Sequence, residues 1–178
     1  MKDSRNLAPL KRVRFFDGQL LSAQDFQTEQ EYWREKQRRH NRMFHGYGVV
    51  SGLDDVSTKR DVLFVRPGMA MDASGNEIVV PDCLEIPIKR RGRVAYVVVR
   101  YHEHETDPVP VQIDSNGGVE SSRIEEGFEI AITPTAGPNP SARKTAGNQI
   151  ESGVILARLV MRRGRWQVDR KFRRPRTR

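Results

Sequence analysis

The chain has 178 residues, 37% of them hydrophobic and 30% charged, with 14 Gly and 10 Pro, a composition that suits one compact domain and excludes collagen-like or broadly disordered chains. No run approaches the roughly 20 apolar residues of a membrane-spanning helix and Met1 to Asn6 lack the apolar stretch of a secretory signal, so the expectation is a cytosolic protein with no membrane insertion. The formal charge of +8 suggests an acidic partner, and the single cysteine, Cys83, excludes a disulfide framework or a multi-Cys zinc site.

In chain order, Val13-Arg14-Phe15-Phe16 is a short apolar run closed by an Asp17-Gly18 turn signal. Ser22 is a good N-cap, Asp25 three residues later completes a capping box, and neither Pro nor Gly interrupts the chain before Gly46. The spacing predicts one helix from Ser22 to His45, about 24 residues and about 36 Å long. Its acids (Asp25, Glu29, Glu31, Glu35) lie early and most of its bases late, complementing the helix dipole. Phe26, Trp33, His40 and Phe44 recur at spacings of seven, seven and four, a narrow stripe suited to a helix lying across a sheet or meeting copies of itself.

The rest reads as strands, so the helix is expected as an insertion between them. Gly46 to Leu53 is a Gly cap leading into a strand. Val62 to Val65, Pro67 to Asp72, a turn over 73–76 and Ile78 to Val80 form a hairpin candidate. Leu84 to Ile88 alternates and contains Pro87, which marks an edge strand, whereas Arg93 to Tyr101 reads as central. Phe128 to Ile132, Val154 to Met161, and Trp166 to Asp169 after an Arg162-Arg163-Gly164-Arg165 turn complete the set. The fold class expected is mainly β, an antiparallel sandwich or barrel-like domain with one long N-terminal helix. Residues 106–127 and 133–152 read as long polar loops of the kind that a partner orders.

Charge divides the chain. Arg162, Arg163, Arg165, Arg170, Lys171, Arg173, Arg174, Arg176 and Arg178 stand against one acid, Asp169, a balance equal to that of the whole protein, so residues 1–161 are neutral. This reads as a β-rich body, 1–161, with a basic docking arm, 162–178, and the acid-rich stretch from Glu103 to Glu129 is a surface that a neighbouring subunit could offer to it. Trp166 and Phe172 among the arginines also admit nucleic acid, although Trp166 sits in an alternating run that reads better as core.

Catalytic patterns are missing: no Gly-x-Ser-x-Gly, no phosphate-cradling glycine loop, and no motif around Cys83, which is expected in or beside the sheet. His102 and His104 share a face if extended, and His40 or His45 could add a ligand, but the spacing matches no zinc motif. The expectation is a non-enzyme with no cofactor and no metal.

The segments Arg14 to Phe26, Glu29 to Trp33 and His40 to Leu53 resemble a group of small bacterial proteins found with phage-tail-like contractile injection systems. The match continues through Pro67 to Asp72, Ser122 to Glu129 and Val154 to Leu159. The first segment is also similar to the start of the type VI secretion baseplate protein TssK, whose N-terminal domain is similar to the shoulder domain of phage receptor-binding proteins. The helical bundle and C-terminal domain of TssK have no counterpart in this sequence. The resemblance implies a homotrimeric, β-rich baseplate or fibre-attachment part, made in the cytoplasm and assembled into a particle beside other baseplate, spike or fibre proteins. Phe26, Trp33, His40 and Phe44 would then mediate self-assembly and the basic arm would dock to neighbours. The alternatives are a nucleic-acid-binding module gripping phosphates through the arm and a carbohydrate-binding sandwich.

Overall fold

A computed structural model describes residues 8–54, 56–89, 92–111, 118–134 and 153–177. Helix α1 spans Ala23–His40 and continues into one π turn, Asn41–His45, so the predicted helix is present over its full length. Its start is the capping box: the Asp25 N–H donates to Ser22 Oγ (3.3 Å), and the Ser22 N–H donates back to Asp25 Oδ2 (2.8 Å). Gly46 closes it, donating its N–H to Asn41 O at 3.0 Å.

Among the described residues ten strands follow: β1 Gly48–Gly52, β2 Val56–Lys59, β3 Val62–Val65, β4 Gly68–Met71, β5 Glu77–Val80, β6 Leu84–Pro87, β7 Val94–Pro110, β8 Val119–Thr133, β9 Gly153–Arg162 and β10 Arg165–Val168. Among the described residues they form three antiparallel sheets, ordered β1-β4-β5, β10-β9-β7-β8 and β2-β3-β6, with no closed barrel. β7 is central, as its Val-rich sequence demands, and β6, with Pro87, lies at an edge. Leu53, Leu63, Val65, Ile78, Val80, Val97, Val99, Leu159 and Trp166 meet in one core lined by all three sheets.

Several expectations need correction. Val13 to Phe16 pair with no strand; the Val13 N–H instead donates to Glu29 Oε2 on α1 (3.1 Å), and among the described residues the helix precedes every strand. β4 and β5 form the expected hairpin, but β3 belongs to the sheet of β2 and β6. Cys83 is exposed in the turn before β6.

The largest correction is the loop expected over 106–127. It is the distal part of a long ribbon in which β7 and β8 pair from Tyr96↔Thr133 out to Pro110↔Val119. Beyond Tyr101↔Phe128 the ribbon is mostly polar and exposed, with Val109, Val119 and Ile124 scattered along it, so neither alternation nor an apolar run marks it, and Pro108 and Pro110 argue against it. Most of the second expected loop, 135–152, lies outside the described residues.

Candidate assembly surface

Helix α1 buries none of its own residues, and what holds it is polar. The turn between β4 and β5 is shaped by Asp72, whose Oδ1 accepts from the N–H groups of Ser74 (2.8 Å) and Asn76 (2.9 Å). This turn offers its carbonyls and side chains to the C-terminal end of the helix. Arg38 Nε donates to Asn76 Oδ1 (2.6 Å), Arg42 Nη1 to Ser74 O (2.6 Å), and the buried Asn41 Nδ2 to Gly75 O (2.9 Å) and Glu77 Oε1 (3.2 Å). Gly75 has φ +88°, and a Cβ there would lie 2.3 Å from Arg38 O, so only glycine lets the turn come this close. Arg34 and Arg38 also reach Glu103 on β7, each at 3.6 Å. Burial and the hydrogen bond to Glu103 (2.7 Å) raise the pKa of the adjacent Tyr101 hydroxyl, keeping it a neutral donor.

Because the polar edge makes the attachment, the apolar stripe is left in solvent. Phe26, Trp33 and Phe44 are 54%, 53% and 69% exposed. Eight of the thirteen exposed large apolar side chains among the described residues fall between Phe15 and Phe44, with Leu20 the most exposed, so the exposed apolar surface is concentrated on the N-terminal segment and the helix. His40 stacks on Phe44 with ring centres 4.8 Å apart, and its Nε2 lies 3.3 Å from His45 Nε2. Trp33 donates Nε1–H to Glu29 Oε1 (2.9 Å), and Lys36 lies 5.0 Å from the centre of its ring. The stripe residues are thus together on one face, and Trp33, His40 and Phe44 have ordered neighbours without being buried.

The basic segment is placed differently from a free arm. Arg163 and Gly164, both at positive φ, form the turn into β10. After it, Phe172 packs edge-on to Tyr96 (6.1 Å), Asp169 pairs with Arg158 (3.3 Å), and the chain runs back beside β1. There the Val49 N–H donates to Pro175 O (3.0 Å), and the Thr177 N–H donates to Val49 O (3.3 Å). Arg174 bonds Leu53 O (2.6 Å) and Asp54, and Arg176 reaches Asp54 at 2.6 Å. Burial, and secondarily the neighbouring Arg176, lowers the Arg174 pKa. Arg162, Arg163, Arg165, Arg170, Lys171 and Arg173 remain exposed, and no ion pair engages them among the described residues; Arg178 lies outside that range. Trp166 is only 4% exposed, as core, and Phe172 is half-buried, so neither offers a face on which a nucleic-acid base could stack.

Sequence reasoning missed the clamp at Asn41 and Gly75, which joins polar residues 34 positions apart, and it missed Asp54 as the acid that takes up Arg174 and Arg176. His102 and His104 stack on the ribbon (6.1 Å), where His104 pairs with Glu125 (3.2 Å). No group of three or more His, Cys, Asp or Glu able to hold a metal occurs among the described residues.

No family model matches the chain, and no curated protein matches it. Solved structures share its fold. It is similar to a chain in the cryo-electron microscopy structure of the type VI secretion system TssK-TssF-TssG baseplate subcomplex, at 14% identity and a TM-score of 0.54, covering 93% of this chain and 62% of that one. The crystal structure of TssK matches at 13% identity and a TM-score of 0.55, over 90% of this chain and 41% of that one. A chain in the baseplate complex from the type VI secretion system matches at 15% identity and a TM-score of 0.56, over 94% and 42%. The likeness is one of fold, and the chain spans about three-fifths of the first and about two-fifths of the other two. The second of these structures is of the same protein that the first segment resembles.

Proposed function

We propose that the chain is a non-enzymatic structural component of the baseplate or fibre-attachment region of a contractile, phage-tail-like injection particle. It associates with itself, as a homotrimer, through Phe26, Trp33, His40 and Phe44, and docks to neighbouring baseplate, spike or fibre proteins through the exposed basic residues around the β9–β10 turn. The observation that carries this reading is the helix fastened by its polar edge, with its aromatic stripe left outward, on a fold shared with TssK over nine-tenths of the chain. A face of this kind costs solubility in a monomer and is explained by a partner that covers it.

Arg174 and Arg176 serve a different purpose from the other bases. They tie the segment to the body through Asp54 and Leu53 O, which makes the basic surface part of the folded domain instead of a tether. A rigid basic surface loses less entropy on docking than a flexible tail. The test is the solution mass by size-exclusion chromatography with light scattering. The full chain is expected at three times the monomer mass and a Phe26→Asp/Trp33→Asp double variant at the monomer mass. An unchanged mass in the variant, or a monomeric parent, removes the assembly role of the stripe.

A further inference from the structure

The π turn at the end of α1 does something an α-helical ending would not. In an α-helix, residues five apart are about 140° apart around the axis. The wider π turn, marked by the Gly46 N–H bonding to Asn41 O, brings residues 40 and 45 to one side. Those residues are His40 and His45, both exposed, with their Nε2 atoms 3.3 Å apart. Their ring centres are 5.2 Å apart, so the two nitrogens point inward toward one another instead of past each other.

That separation is long for a good N–H···N hydrogen bond. It matches the bite of a tetrahedral ion: two metal–nitrogen bonds of about 2.0–2.1 Å at the tetrahedral angle place the nitrogens about 3.3 Å apart. Adjacent positions on an octahedral ion with the same bonds would need about 2.9 Å.

The surroundings hold this geometry. Asn41, between the two histidines in sequence, is buried and bonded to Gly75 O, which pins the turn. Phe44 stacks on the His40 ring, their planes 28° apart, and steadies it. The cations that flank His40 in the chain are engaged elsewhere: Arg42 bonds Glu35 Oε1 and Ser74 O, each at 2.6 Å, and Arg39 Nη2 donates to Ala8 O at 2.8 Å. The other histidine pair lacks these features: the rings of His102 and His104 are stacked nearly parallel, 15° apart, and His104 is occupied by Glu125.

We propose that His40 and His45 form a two-imidazole site for a divalent transition ion that accepts tetrahedral nitrogen ligation, Zn²⁺ being the best fit, with water in the remaining positions. Imidazole is a preferred ligand for this class of ion, and Mg²⁺ or Ca²⁺, which favour oxygen, are excluded by the donor set. Both ligands come from one chain, but His40 also belongs to the stripe proposed above for self-assembly, so the titration is run on the Phe26→Asp/Trp33→Asp variant as well as on the parent, and one Zn²⁺ per chain is expected in both.

The experiment is calorimetric titration of the full chain with Zn²⁺, comparing the parent with His40→Gln, His45→Gln and a His102→Gln/His104→Gln control. One Zn²⁺ per chain is expected, weakened at least about tenfold by either His40→Gln or His45→Gln and unchanged in the control. Both histidines are exposed, and circular dichroism checks that each variant keeps its fold. Absence of binding, parent-like binding in the two single variants, or loss in the control overturns the site. Substitution of Co²⁺ tests the geometry: the intense visible absorption of four-coordinate cobalt is expected, and the weak spectrum of a six-coordinate ion contradicts the tetrahedral assignment.

Discussion

Replacing Asn41 with alanine tests how α1 is attached. The side chain is 2% exposed and gives two hydrogen bonds, to the buried Gly75 carbonyl (2.9 Å) and to the Glu77 carboxylate (3.2 Å). A neutral hydrogen bond contributes about 1 kcal/mol and one to a charged group about 1.5–3 kcal/mol. Glu77 is exposed and regains water, so the lower figure applies to it, whereas the Gly75 carbonyl is left buried without this donor. The total is about 3 kcal/mol, which for a chain of this size lowers Tm by about 6–12 °C. The assay is thermal melting followed by circular dichroism, with amide hydrogen exchange over residues 23–45. Exchange in the helix is expected to accelerate much more than in β7 and β9, because the loss falls on the clamp and not on the core. A Tm within about 2 °C of the parent, with unchanged helix exchange, would refute the polar clamp.

Three further outcomes are expected. The hydrogen bonds from Ser22 lower the Asp25 pKa below 3.8, so its contribution to the helix start is complete above that pH and is lost as pH falls through the folded-state value; Asp25→Asn removes this acid-linked change, seen as helicity against pH. Trp166→Ala opens the core where the three sheets meet and costs about 3–5 kcal/mol, read by chemical denaturation; a cost under about 1 kcal/mol would place this tryptophan at the surface. Truncation after Phe172 removes the Pro175 and Thr177 backbone bonds to Val49 and the Arg174 and Arg176 contacts at Asp54, and is expected to lower Tm and to speed exchange in β1; parent-like exchange there would mean that the segment does not dock on the body.

The sequence announced features whose causes are local. Ser22 and Asp25 mark the helix start, the Val-rich run marks β7 as central, Pro87 marks an edge, and the Arg163-Gly164 turn leads into a strand with a buried Trp166. The aromatic stripe was also legible, because side chains recurring at helical spacing share a face wherever the helix goes. What the pattern left open was whether that face meets a sheet or solvent, since the answer lies in polar contacts to a turn 32 to 38 residues away. The distal ribbon of β7 and β8 was invisible for the opposite reason: with few and scattered apolar residues, its pairing leaves no hydrophobic period to read. The return of the C-terminal segment to β1 depends on one acid, Asp54, and on Gly48, where a Cβ would lie 2.6 Å from the Arg176 nitrogen, and neither signals its partner in sequence. The convergence of His40 and His45 depends on a π turn that spacing alone does not disclose.

The proposal that the chain is a part of an injection particle is tested most directly by locating it. Contractile particles purified from cells producing an epitope-tagged full-length chain would be examined by electron microscopy with a gold-labelled antibody to the tag. The label is expected at the baseplate end of the particles, and depleted there when the Phe26→Asp/Trp33→Asp variant replaces the parent. A tagged chain that stays in the soluble fraction, with unlabelled particles, would contradict the assignment.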